Sequence, residues 1–78
     1  MIMKKYRYTL FVDGMMCGGC ETYMNDFIRK NFDVKKVKSS ARKNRTIIIS
    51  TNQLDEIELR KQIDKTGYIV SNIIKEEI

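Results

Sequence analysis

The sequence predicts an α+β sandwich in which four antiparallel strands form one sheet, covered on one face by two helices. Three observations lead there. Residues from about Lys4 to Val12 alternate, with Tyr6, Tyr8, Leu10 and Val12 on one face and Lys5, Arg7, Thr9 and Phe11 on the other. That period of two belongs to a half-buried strand. Met24, Phe27, Ile28 and Phe32 then follow at helical spacing, which puts them on one side of a helix. Later, Thr46-Ile47-Ile48-Ile49-Ser50-Thr51 is a β-branched run of the kind strands favour.

Taken in order, the first strand ends at the turn signal Asp13-Gly14, and the first helix starts near Gly18 or Gly19. Val34, Val37 and Ala41 mark a weaker, basic second strand. The polar run Ala41-Arg42-Lys43-Asn44-Arg45 turns it into the third, although the turn type is not legible. A second helix is expected from Leu54 or Asp55 to Thr66, capped by Asn52 or by the polar neighbours of Leu54. Leu59 and Ile63 are four apart in it, and Gly67 is placed to end it in a left-handed conformation. Tyr68 to Ile74 is the last strand. The order βαββαβ is that of a split-βαβ, ferredoxin-like sandwich. Its core is expected to include Leu10, Met24, Ile28, Leu59 and Ile63. Its open sheet face is expected to carry some of Arg7, Phe11, Ile48 and Ile69.

The 78 residues form one domain, 1–78, with a modest core. A composition of 42% hydrophobic and 32% charged residues argues against disorder. No segment approaches the roughly 20 apolar residues of a membrane-spanning helix, so no membrane insertion is expected. The basic start, Met1-Ile2-Met3-Lys4-Lys5, leads into a run too short and polar for a signal peptide. A cytoplasmic location is therefore predicted. The net charge is +5, and Arg29, Lys30, Lys35, Lys36, Lys38, Arg42, Lys43 and Arg45 crowd one stretch. Such a stretch is either a face for an acidic partner or nucleic acid, or a solvated hairpin.

Two cysteines three apart cannot staple distant segments, so they read as a reactive or metal-binding pair in a reducing compartment. A soft d¹⁰ ion such as Cu(I) prefers polarisable sulfur, and two thiolates converge on one ion if the turn between them is tight. Gly18 and Gly19 permit that turn. Cys20 falls in the first helical turn, where the dipole and unpaired N–H groups favour anions. Cys17, ahead of that helix amino terminus in a chain with Lys and Arg in excess, is expected below the ordinary thiol value of about 8.5. A structural zinc site takes four protein ligands, and the chain has no His and only two Cys. Dithiol redox chemistry uses a similar pair, but in thioredoxin-like folds beside a cis-proline, and this chain has no proline.

Gly14-Met15-Met16-Cys17-Gly18-Gly19-Cys20, placed after the first strand, resembles the signature of the heavy-metal-associated domain. That family includes copper chaperones and the amino-terminal modules of copper-transporting ATPases. Asp33-Val34, Leu59, Ile63 and Gly67-Tyr68 extend the resemblance along almost the whole chain. It implies metal ligation by Cys17 and Cys20, with Met15 anchoring the loop by packing inward or acting as a thioether ligand. Tyr68 would lie in the loop facing the metal, or be a core aromatic at a strand start. Met16, where zinc-type members often carry Asp, favours Cu(I). Glu21, where a small or apolar residue is common, offers a carboxylate to a harder ion.

The expected function is therefore a non-enzymatic Cu(I) chaperone that passes its ion to the metal-binding domain of a transport ATPase by thiolate exchange. It would be a monomer without metal, with a metal-bridged dimer as a further state. The alternatives are a Hg(II)- or Zn(II)-binding module and a small dithiol redox protein. A nucleic-acid binder is a further alternative resting only on the basic stretch; no nucleic-acid partner is expected, because the aromatics needed for stacking are not interleaved with the Lys and Arg residues along the chain.

Overall fold

A computed structural model describes residues 4–14 and 18–78. The elements are β1 (Tyr6–Asp13), α1 (Gly18–Asn31), β2 (Lys36–Ser40), β3 (Arg45–Ser50), α2 (Glu56–Asp64) and β4 (Ile69–Glu77). They form one antiparallel sheet in the order β2-β3-β1-β4. The fold is the βαββαβ, ferredoxin-like α+β arrangement predicted above.

Alternation in β1 sets the core. Tyr8, Leu10 and Val12 are fully buried and Tyr6 nearly so, meeting Met24 and Ile28 from α1 and Leu59 and Ile63 from α2. Truncating a fully buried Ile, Leu or Met to Ala costs about 2–5 kcal/mol. The buried Tyr8 hydroxyl avoids a desolvation penalty by accepting the Leu54 N–H at 2.8 Å, which ties the β3–α2 loop to the sheet.

Two expectations are corrected and a third is narrowed. Ile48 lies in the core rather than on the open face, because β3 pairs Ile48 with Tyr8; Ile47 and Ile49 take the open side. Of the two caps expected for α2, a polar neighbour of Leu54 is the one used: the Asp55 carboxylate accepts the N–H groups of Ile57 at 2.9 Å and Glu58 at 3.4 Å. Asn52 instead donates its side-chain amide to Asp33. In addition, α2 stops at Asp64, and Thr66 and Gly67 donate back to Ile63 and Asp64 in a closing turn. Gly67 does adopt positive φ, +94°.

The last strand runs on to Glu77 and contains a bulge. Its pairing with β1 jumps from Phe11↔Asn72 to Val12↔Val70, leaving Ser71 as the extra residue, with its hydroxyl on the Phe11 carbonyl. Val70 and Ile73 consequently both reach the core side, although simple alternation would separate them. Ile74 is left on the open face, opposite Thr9. In the β2–β3 hairpin, residues 41–44 form the turn and Asn44 takes φ +52°, a conformation Asn tolerates.

Candidate metal centre

Cys20 is the third residue of α1, half-buried and packed against the core. This is deeper than a placement wholly outside the core would allow, because α1 lies directly on the sheet. Cys17 and Met15, the other sequence-derived site residues of the β1–α1 junction, lie outside the described residues.

The walls of that junction are described. Gly14 has φ +106°, and a Cβ there would stand 3.1 Å from Tyr68 Cδ1. Glycine is required at this position both by its backbone angle and by the close approach of the ring. Tyr68 therefore packs on the residue immediately before the signature loop while also lying against the core. Of the two placements considered for it, the core one is seen, just before β4. Its ring meets Tyr23 edge-on at 6.2 Å, and Tyr23 stacks on Phe27, also at 6.2 Å. Tyr23 is one helical turn beyond Cys20, so this aromatic row begins next to the cysteine.

The β2–β3 turn occupies the same end of the sheet. Val12 donates to the Asn44 carbonyl at 2.9 Å, and the Glu21 carboxylate accepts the Ala41 N–H at 2.6 Å. One turn further, Asn25 accepts from Ser39, whose hydroxyl also meets that of the buried Thr46 at 3.1 Å. Glu21 and Asn25 thus form a polar stripe that docks α1 onto β2. Sequence reading missed this function for Glu21. Its only local signal is the i, i+4 spacing of two polar residues on a helix whose other face is apolar.

This placement bears on which donors could supplement the thiolates. Glu21 is engaged by the hairpin backbone. Asp13 pairs with Ile69 and alternates onto the open face, away from the helix layer that carries Cys20. Among the described residues, no three His, Cys, Asp or Glu side chains come together as a metal-holding group.

A charge-assisted hydrogen bond of this kind contributes about 1.5–3 kcal/mol. Glu21→Ala is expected to lower the melting temperature by roughly 10–20 °C for a domain of this size, with Glu21→Gln restoring about half of it. Metal stoichiometry should be unchanged in both. Thermal unfolding by circular dichroism, together with metal analysis, checks this; loss of metal in Glu21→Ala would make the carboxylate a ligand.

The basic stretch is divided by the fold. Arg29 and Lys30 end α1, with Arg29 paired to Asp26. Lys36 and Lys38 lie on the open sheet face, while Arg42 and Lys43 lie in the turn beside the β1–α1 junction. No helix is long and apolar enough to cross a membrane among the described residues. Neither a protein-family model nor a curated protein matches the chain.

Proposed function

We propose that this chain is a heavy-metal-binding module that carries one Cu(I) ion on Cys17 and Cys20 and hands it to a partner domain. The observation that carries this reading is the Cys17-Gly18-Gly19-Cys20 pair at a strand-to-helix junction, with Cys20 in the first turn of α1. A thiolate there is stabilised by the unpaired N–H groups and the positive end of the helix dipole. Packing of Tyr68 against Gly14 supports the reading, since it braces the first residue of the signature.

Transfer is ligand exchange without redox change. A thiolate of the acceptor bonds to Cu(I), and the bond to one cysteine of this chain breaks. The released thiolate takes up the proton that the acceptor thiol gave up, and a second exchange completes the transfer. The ion stays Cu(I), and no catalysis is required. The fitting acceptor is a cytoplasmic metal-binding domain, such as that of a transport ATPase, with an acidic surface that meets Arg42 and Lys43. These cations share the end of the sheet with the junction.

Metal content of protein purified under reducing conditions tests the proposal, and one Cu(I) per chain is expected. Mixing the loaded protein with an acidic acceptor domain at low and at high salt then tests docking, with transfer slowing as salt rises. Absence of bound soft metal would overturn the function. A salt-independent rate would overturn the electrostatic docking alone.

A further inference from the structure

The sheet face turned away from the helices carries chemistry that the thiol pair does not use. Across it, Lys38 pairs with Ile47, Ser40 with Arg45 and Arg45 with Phe11. Residues far apart in sequence thereby become neighbours on one surface. The Arg45 guanidinium lies 5.7 Å above the Phe11 ring centroid. Lys38, Ser40, Lys43, Arg45 and Ile47 line a shallow depression of about 260 Å³ beside that stack. No carboxylate lines it, and among the described residues none forms an ion pair with Lys38, Lys43 or Arg45. The carboxylate of Glu76 on this face is engaged by Arg7 at 3.0 Å. That bond, followed by the attraction of the opposite charge, raises the Arg7 pKa.

We propose that this depression is a binding site for single-stranded nucleic acid. Lys38 and Lys43 would take phosphodiester oxygens, and the Arg45–Phe11 stack would offer a planar platform for a base. Along the chain, nucleic acid is the weakest of the possibilities, because aromatics are not interleaved with the basic residues. The sheet supplies that interleaving across strands, through the Phe11↔Arg45 pair. An acidic polypeptide would use the cations but would leave the planar platform and the Ile47 floor unused. A base with its phosphate uses both. The site is independent of Cys17 and Cys20.

The test is fluorescence anisotropy of a labelled single-stranded oligothymidylate titrated with the whole chain at several salt concentrations. Engagement of phosphates by Lys38 and Lys43 predicts a log–log salt slope of about −1.4, at roughly 0.7 per neutralised phosphate. Lys38→Glu with Lys43→Glu, both at exposed positions, should weaken binding at least about tenfold. Lys61→Glu, an exposed change on α2, should leave it unaltered. Phe11→Leu, checked for folding by circular dichroism, should weaken binding about tenfold with the salt slope kept. Cys17→Ser with Cys20→Ser should bind normally. Equal loss in Lys61→Glu would reduce the effect to net charge and overturn the site. So would displacement by polyglutamate at matched charge, equal affinity for duplex, or no binding at low salt. In the last case Lys36 and Lys38 would serve only to guard the exposed edge strand β2.

Discussion

Replacing Cys17 and Cys20 together with serine is expected to abolish Cu(I) binding while the domain stays folded. A serine hydroxyl remains protonated at neutral pH and is a hard donor, so it cannot replace a thiolate on a soft ion. The fold should survive because its main supports lie elsewhere. Tyr8, Leu10, Met24, Ile28, Ile48, Leu59 and Ile63 are fully buried and untouched by the change. Cys20 is not wholly neutral to stability, since its half-buried side chain packs against that core. A hydroxyl there is expected to cost about 1 kcal/mol, against a typical domain stability of about 5–15 kcal/mol. Anaerobic Cu(I) titration and circular dichroism of the apo proteins check the two halves separately. If the double variant is unfolded while Cys17→Ser alone is folded, the loss belongs to packing at Cys20. Should Cys17→Ser and metal-free wild type both prove unfolded, the ion would be structural rather than cargo.

The second large effect is selectivity: Cu(I) should bind more tightly than Zn(II) by several orders of magnitude. Two thiolates satisfy Cu(I) in a near-linear site, or in a three-coordinate one with a small external thiol. Zn(II) seeks four ligands in a tetrahedron. The two carboxylates nearest the pair in sequence are Glu21 and Asp13. The first accepts a backbone hydrogen bond from the β2–β3 turn, and the second alternates onto the opposite face of the sheet. Recruiting either for zinc would break an existing contact or require the strand end to turn over. Tight zinc binding would then require two chains pooling their cysteines. Competition with chelators of known affinity for each ion, under anaerobic and reducing conditions, measures the difference. Parity between the ions at a stoichiometry of one per chain would overturn the copper assignment. Zinc-dependent dimerisation in gel filtration would identify the pooled site instead.

Much of the architecture was legible because it follows from consecutive residues. The pleat of a strand puts every second side chain on one face, so Tyr6, Tyr8, Leu10 and Val12 identified the core side of β1. Helical spacing did the same for Met24 and Ile28, and for Leu59 and Ile63. Glycine after α2 marked its end, with the positive φ expected there. The chemistry of the cysteine pair was likewise local, since its spacing, its intervening glycines and its place between a strand and a helix are properties of one short segment.

Only the tertiary structure decided which strand faces which neighbour, and in what register. Ile47, Ile48 and Ile49 are chemically alike, so nothing in that run says which one points inward; pairing of Ile48 with Tyr8 does. Ser71 as a bulge brought Val70 and Ile73 to the same side, which no period-two reading of β4 can anticipate. The Glu21 bond to Ala41, the Tyr68 ring against Gly14 and the Arg45–Phe11 stack each join residues 20 or more positions apart. Local periodicity is set by backbone geometry at each residue and can be read along the chain. Register and cross-strand neighbours are set by competition among all pairings that bury the apolar surface and satisfy the hydrogen bonds, and that competition is resolved only in the folded whole.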